Sequence, residues 1–167
     1  AIEGEGFFQV ERPDGEILYT RDGTFSRDRD GNVVTSEGFL LVPNIQIPVD
    51  AIQVTILRDG TVSILQPGQS APSDAGQVEL ARFANPAGLR AVGGNAFVPT
   101  EASGDAQTGA PDDQGFGSLA QGFLENANVN VAEELVNMIL TQRAFELNAR
   151  AIQAGDEMLQ TIGALYR

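Results

Sequence analysis

Residues 128–167 carry the feature that most limits what this chain can become. Val131, Met138, Phe145, Ile152, Leu159 and Tyr166 recur at intervals of seven, which keeps all six on one slowly drifting helix face. Leu135 widens that stripe near its start and Ile162 near its end. Leu140, Ala144, Leu147, Ala151, Met158 and Leu165 fall on roughly the opposite side. A helix with one apolar stripe lies on its own domain; a helix with two needs neighbours on both flanks. An ordinary bundle would supply them from further helices of the same chain, but no other stretch here has a helical period of useful length. The pattern therefore predicts a subunit that completes its core with other chains.

Asn130 is placed to cap this helix, with Glu133 three residues on to return a bond to the cap amide and complement the dipole. No proline interrupts the run. Gly155 and Gly163 each cost about 1 kcal/mol against Ala, which predicts a bend near Gly155 and fraying beyond Gly163. At the usual rise the helix is about 50 Å long.

Residues 6 to about 100 are strand-and-turn material. Asp-Gly occurs at Asp14-Gly15, Asp22-Gly23, Asp30-Gly31 and Asp59-Gly60. Between short β-branched or apolar runs it predicts tight hairpins in which both turn residues take positive φ. Expected strands are Phe7–Glu11, Glu16–Thr20, Asn32–Thr35, Phe39–Val42, Gln53–Arg58, Thr61–Leu65, Gln77–Phe83 and Ala96–Pro99. Residues 101–114 are small, polar and rich in turn formers, which predicts an exposed loop. Residues 119–124 predict a return strand beside the opening strand near Phe7. The expected organisation is a β-rich domain over 1–127 and a stem helix over 128–167. In fold class this is mainly β, built of hairpins, plus a long coiled-coil-like C-terminal helix.

Composition excludes several functions. Lys+Arg number 10 against 23 Asp+Glu, a net charge of −13, and all the cations are Arg. No basic patch is available to neutralise phosphates, which argues against nucleic acid. No apolar run approaches the length of a membrane span and no signal peptide is visible. The chain has no Cys and no His, which removes thiol chemistry, the usual neutral-pH base and the common zinc ligands. It opens at Ala1 without an initiator Met, as the interior of a longer protein would.

Candidate chemistry is correspondingly thin. Asp28-Arg29-Asp30-Gly31-Asn32 alternates oxygen ligands as calcium loops do, but Gly31 comes too early and Phe39 stands where the bidentate Glu belongs. Turn chemistry explains it better. The pairs Glu3/Glu5, Asp112/Asp113, Glu133/Glu134 and Asp156/Glu157 fit a solvated acidic surface, whereas a carboxylate hydrolase needs two carboxyls across a cleft. Gly4-Glu5-Gly6 lacks the third glycine and the helix of a dinucleotide fingerprint. Ser63, Ser70 and Ser103 have no His partner. The residues point to no catalytic site, no metal and no cofactor.

Gly4-Glu5-Gly6-Phe7-Phe8-Gln9-Val10 and Tyr19-Thr20-Arg21-Asp22-Gly23-Thr24-Phe25 resemble the opening of the middle domain in bacterial flagellar rod and hook proteins. Gly31–Thr35, Gly38-Phe39, Gly94-Asn95, Thr100 and Ser103-Gly104 continue the resemblance. Gln121–Glu125, Asn128–Ile139 and Gln142–Glu146 are very similar to that family's C-terminal segment. The resemblance covers essentially the whole chain. Asn128–Leu135 is more similar to the distal rod branch than to the hook, with the proximal rod proteins as nearer competitors. Family members begin with a stem helix and a connecting segment, so the partner helix is expected before Ala1.

The resemblance implies a structural subunit of the distal rod, a drive shaft that self-assembles into a helical tube and transmits torque. It implies copies of itself, the proximal rod and hook proteins and the surrounding P- and L-ring proteins as partners. It also implies a periplasmic place in the basal body, reached by type III export without a cleaved signal. The residues expected to carry self-assembly are Val131, Leu135, Met138, Leu140, Phe145, Leu147, Ile152 and Leu159. The alternatives are a proximal rod or hook subunit, or an extracellular β binding module with a ligand groove.

Overall fold

The computed structural model describes the backbone of residues 1–69 and 71–165, and all of their side chains except those of 156, 157 and 159–165. The chain is mainly β with a long C-terminal helix, as the patterning predicts. It divides into two units, Ala1–Glu125 and Asn126–Arg167.

The first unit opens with β1 (Ile2–Glu3), β2 (Phe7–Glu11), β3 (Ile17–Thr20), β4 (Ser26–Arg27), β5 (Val33–Val34) and β6 (Leu40–Val42). A meander follows: β7 (Gln53–Ile56), β8 (Thr61–Leu65) and β9 (Ser73–Gln77). Then come β10 (Leu80–Arg82), β11 (Arg90–Gly93), β12 (Ala96–Val98), β13 (Gln107–Gly109) and β14 (Ser118–Leu119). The main sheet runs β11-β12-β3-β2-β6-β5-β4, with β10 joining β2 to β13. The strands β7-β8-β9 form a second sheet, and β1 pairs with β14 in a third.

The β2–β3 hairpin is the centre of the unit. Alternation sends Phe8 and Val10 to one face and Phe7 and Gln9 to the other. Phe8 joins Leu41, Ile45, Val62, Val78, Leu80 and Leu119 in the largest core cluster, while Val10 packs with Leu18, Ala96 and Val98. On the other face Phe7, Tyr19, Phe83 and Phe97 form an edge-to-face group, with Tyr19 and Phe83 centroids 4.8 Å apart. Val62 and Ile64 alternate inward from β8, and Val62 joins the large cluster from the second sheet.

The hairpins use a different turn from the one expected. Arg12–Glu16, Asp28–Asn32, Thr35–Phe39 and Leu57–Thr61 all close in the same way. The fourth residue's N–H donates to the first carbonyl, and the first N–H to the fifth carbonyl. Gly15, Gly31, Gly38 and Gly60 occupy the fourth place with φ between +84° and +90°. This is a type I turn followed by a glycine bulge, so only the glycine takes positive φ. The aspartate contributes otherwise: Asp14 and Asp59 accept the N–H two residues on, each at 3.0 Å. Asp22-Gly23 makes no hairpin. Asp22 Oδ1 accepts the Thr24 amide and hydroxyl at 2.9 and 2.8 Å, and the chain moves on to β4 at the far edge of the sheet.

Two further expectations are corrected. Residues 101–114 are not uniformly exposed: β13 pairs with β10, and Ser103 and Pro111 are buried. Ser103 Oγ accepts the Thr100 N–H and donates to the Thr100 carbonyl, so a polar side chain holds the loop from inside. The expected return strand over 119–124 is only Ser118–Leu119, and it pairs with Ile2–Glu3 rather than with the strand at Phe7. Side chains replace the rest of the ladder. Gln121 accepts the Ile56 N–H at 2.8 Å and donates to the Val54 carbonyl at 3.0 Å, imitating a strand on the free edge of β7.

Gly15 and Gly60 share a conformation but not an environment. An added Cβ at Gly15 meets nothing within 4 Å, whereas at Gly60 it lies 2.6 Å from the Val78 carbonyl and 2.8 Å from Pro111. Gly15→Ala is expected to cost about 1–2 kcal/mol for the left-handed backbone alone. Gly60→Ala is expected to cost at least about 1 kcal/mol more, from overpacking. Denaturant unfolding of the two variants checks this; equal midpoints would contradict it.

Candidate assembly surface

The described part of the second unit carries the α-helix α1 (Val131–Leu165). Asn130 Oδ1 accepts the Ala132 N–H at 3.2 Å and its carbonyl accepts the Glu134 N–H at 3.1 Å. Glu133 and Glu134 lie in the first turn, beside the positive end of the dipole. Among the described residues Glu133 makes no return bond to the Asn130 amide, so only half of a capping box is present. An exposed Arg143–Glu146 pair at 4.0 Å adds little.

Every side chain from Val131 to Ala154 is exposed. That includes seven of the eight residues expected to carry assembly: Val131, Leu135, Met138, Leu140, Phe145, Leu147 and Ile152, with Phe145 the most open at 76%. The backbone of Leu159 is helical, but its side chain lies outside the described residues, as do Tyr166 and the side chains beyond Gly163.

Two apolar residues that a count of sevens passes over, Val136 and Ile139, are also exposed. At 100° per residue they bridge Val131 and Leu135 to Leu140, giving the first three turns one apolar band of about 200°. Glu133, Glu134, Asn137 and Thr141 hold the remaining arc. Further along, Phe145 and Ile152 lie opposite Leu147 and Met158, which keeps two separate stripes there. Burying the seven described side chains would release on the order of 10 kcal/mol or more, before the entropy of association is subtracted.

The first unit offers packing rather than reactive chemistry. A hollow of about 190 Å³ is lined by Phe8, Phe25, Leu41, Val54, Ile56 and neighbouring apolar residues, with no titratable side chain. Asp22 and Glu37 share a second hollow of about 20 Å³, room for a water molecule and not for a sugar. Among the described residues no group of His, Cys, Asp or Glu is gathered closely enough to hold a metal. In the segment that imitates a calcium loop, Asp28 Oδ1 accepts the N–H groups of Asp30 and Asn32 at 2.9 and 2.8 Å, and Oδ2 accepts the Asn32 side-chain amide at 3.1 Å. Its oxygens are committed to the turn. Ser63 sits on β8, Ser103 is bonded to its own loop, and Ser70 lies outside the described residues.

With this geometry in hand, comparison with known proteins is specific. Residues 1–64 match the family described as flagellar hook protein FlgE/F/G D1 domain, and residues 120–165 match flagellar basal body rod FlgEFG protein C-terminal. The flagellar basal-body rod protein FlgG of Buchnera aphidicola subsp. Acyrthosiphon pisum is 48% identical over 165 residues, 99% of this chain and 64% of the relative. That of Borreliella burgdorferi is 47% identical over 169 residues, 100% of this chain and 64% of the relative. This chain belongs to the flagellar hook and basal-body rod family. The family is a structural one and not a family of enzymes. The hook protein FlgE of Salmonella typhimurium is 40% identical over 115 residues, 69% of this chain and 28% of its own length. The chain spans 64% of the length of the two rod relatives.

In this member of the family, two turn carboxyls contribute to the response to acid. The Asn32 side-chain amide, followed by backbone N–H groups, holds the Asp28 carboxyl below its ordinary 3.8. The Thr24 hydroxyl, followed by the Thr24 amide, does the same for Asp22. A depressed carboxyl stabilises the fold above its unfolded value and loses that contribution as pH falls through the folded one. The denaturation midpoint is therefore expected to fall as pH drops below 3.8, and Asp28→Asn is expected to reduce that dependence. A midpoint independent of pH in that range, or an unchanged dependence in the variant, would contradict this.

Proposed function

We propose that this chain is a structural subunit of the flagellar distal rod, with residues 1–127 as its β-rich body and 128–167 as a stem buried between helices of other copies. The observation that carries this reading is α1, whose apolar side chains are exposed on more sides than one partner covers. The rod relatives match end to end along this chain, whereas the hook relative matches 69% of it. That supports rod over hook.

On this reading Val131, Leu135, Met138, Leu140, Phe145, Leu147, Ile152 and Leu159 form the self-assembly surface, and Asn130 and Glu133 set its first turn. Copies stack helically into a tube that transmits torque. Its neighbours along the shaft are proximal rod and hook proteins, and the P- and L-ring proteins surround it in the periplasm. The subunit reaches that place through the flagellar export channel without a cleaved signal, and it performs no catalysis. No helix among the described residues is long and apolar enough to cross a membrane. A shaft needs many rigid contacts per copy, since one interface of ordinary size is only moderately strong.

Phe145→Asp or Leu159→Asp, introduced into the chromosomal gene, is expected to abolish rod assembly and swimming. A carboxylate at a site buried between helices costs several kcal/mol without a partner. Electron microscopy of basal bodies and a motility assay check this; swimming cells with normal rods would refute it.

A further inference from the structure

Gly4-Glu5-Gly6 and Arg21, both prominent in the sequence and neither explained by the fold alone, meet in one device. Backbone carbonyls along an extended strand point to alternate edges. From Ala1 to Gly6 one edge faces the return segment. Ala120 N–H donates to the Ala1 carbonyl at 2.9 Å, Ser118 pairs with Glu3, and Gly117 N–H donates to the Glu5 carbonyl at 2.7 Å. The carbonyls of the other edge belong to Ile2, Gly4 and Gly6, and a single guanidinium takes all three. Arg21 Nη1 donates to Gly4 and Gly6 at 3.1 Å each, and Nη2 to Ile2 at 3.4 Å.

The same group reaches the far end of the unit. Arg21 Nε donates to Glu125 Oε2 at 2.8 Å, across 104 residues of sequence. Four of the five guanidinium N–H bonds are thereby used, and the guanidinium carbon lies 6.0 Å from the Phe7 ring centroid. The two glycines make the cradle possible. Their φ values are +117° and +143°, and an added Cβ would lie 3.0 Å from Gly117 Cα at Gly4 and 3.1 Å from Leu80 Cδ1 at Gly6.

We propose that Arg21 is a positioning residue that straps the opening segment 2–6 to the closing segment 118–125, so that force entering at either end reaches the β body through both. The strap takes the place of a further strand along the outer edge of β1, which also denies that edge to a strand of another copy. Its mechanical part rests on the rod reading; the strap itself does not.

Hydrogen exchange of the purified chain, read segment by segment, tests the strap. Arg21→Gln is expected to speed exchange about tenfold or more at residues 2–6 and 118–123, with the β7–β8 hairpin unchanged. Arg21→Lys is expected to behave like Gln, since one ammonium cannot span four acceptors. Glu125→Gln is expected to loosen only residues 120–125. Unchanged exchange at both ends in Arg21→Gln, or an equal rise across every strand, would overturn the strap. If Arg21→Gln does not fold, Glu125→Gln decides: faster exchange confined to 120–125 supports the strap, and unchanged exchange there overturns it. In cells, Arg21→Gln is expected to assemble rods but lose swimming in viscous medium. Full swimming under load with loosened ends would overturn the mechanical part alone, whereas normal rods in Phe145→Asp would overturn the rod reading and leave the strap standing.

Discussion

An apolar helix surface exposed on most of its circumference governs this molecule. Side chains such as Phe145 and Leu147 gain stability only when water leaves them, and α1 itself can only satisfy its backbone. A 35-residue helix of this composition has its preferred state in company, because most helical stability in proteins comes from packing and not from propensity. The first three turns, with their continuous band from Val131 to Leu140, call for wider coverage than the later turns with their two opposed stripes. On the rod reading the degree of enclosure is therefore written along the helix, densest near Asn130.

The β unit is built to the opposite rule and covers its own core. The β2–β3 hairpin sends side chains to both faces, so one short pair of strands organises two mainly aliphatic clusters, one through Phe8 and one through Val10, and an aromatic one through Phe7 and Tyr19. The ends of the unit are held by single side chains where sheets would normally serve: Gln121 on β7, Arg21 on β1, and Arg58, which donates to Ser118 Oγ at 3.1 Å. Bonds of this kind are directional and involve few atoms. They fix where the chain enters and leaves without enlarging the core.

Much of this was legible in the amino-acid sequence, for physical reasons. A long helix declares itself by period, and β8 by strict alternation over Thr61–Leu65. Turns were located correctly at three of the four Asp-Gly sites, but their type was not, because Asp-Gly serves a glycine bulge as readily as a two-residue turn. β9, Ser-Asp-Ala-Gly-Gln, carries no apolar alternation at all; it is a strand because β8 offers it a ladder. Ser103 looked like loop chemistry and is a buried anchor, since a hydroxyl bonded to its own loop is indistinguishable in sequence from one facing water. Val136 and Ile139 fall between the heptad positions, so a period of seven hides them. Arg21 was visible only as part of a motif: its acceptors are backbone carbonyls, which have no sequence signature.

Charge decides how such a surface can be used. The chain carries −13, so identical copies repel one another at long range, weakly beyond about 8 Å at physiological salt. Ten cations against 23 acids leave little counter-attraction, and Arg12 and Arg21 are already paired with Glu16 and Glu125 in the same unit. On the rod reading, attraction between copies comes from the uncharged flanks of α1, and it acts only at contact. That combination disfavours loose association in solution and favours joining where helices already stand aligned, as at the growing end of a tube. On the rod reading an acidic body and an apolar stem are one design: repulsion keeps the subunits apart until the geometry that hides the stem is available.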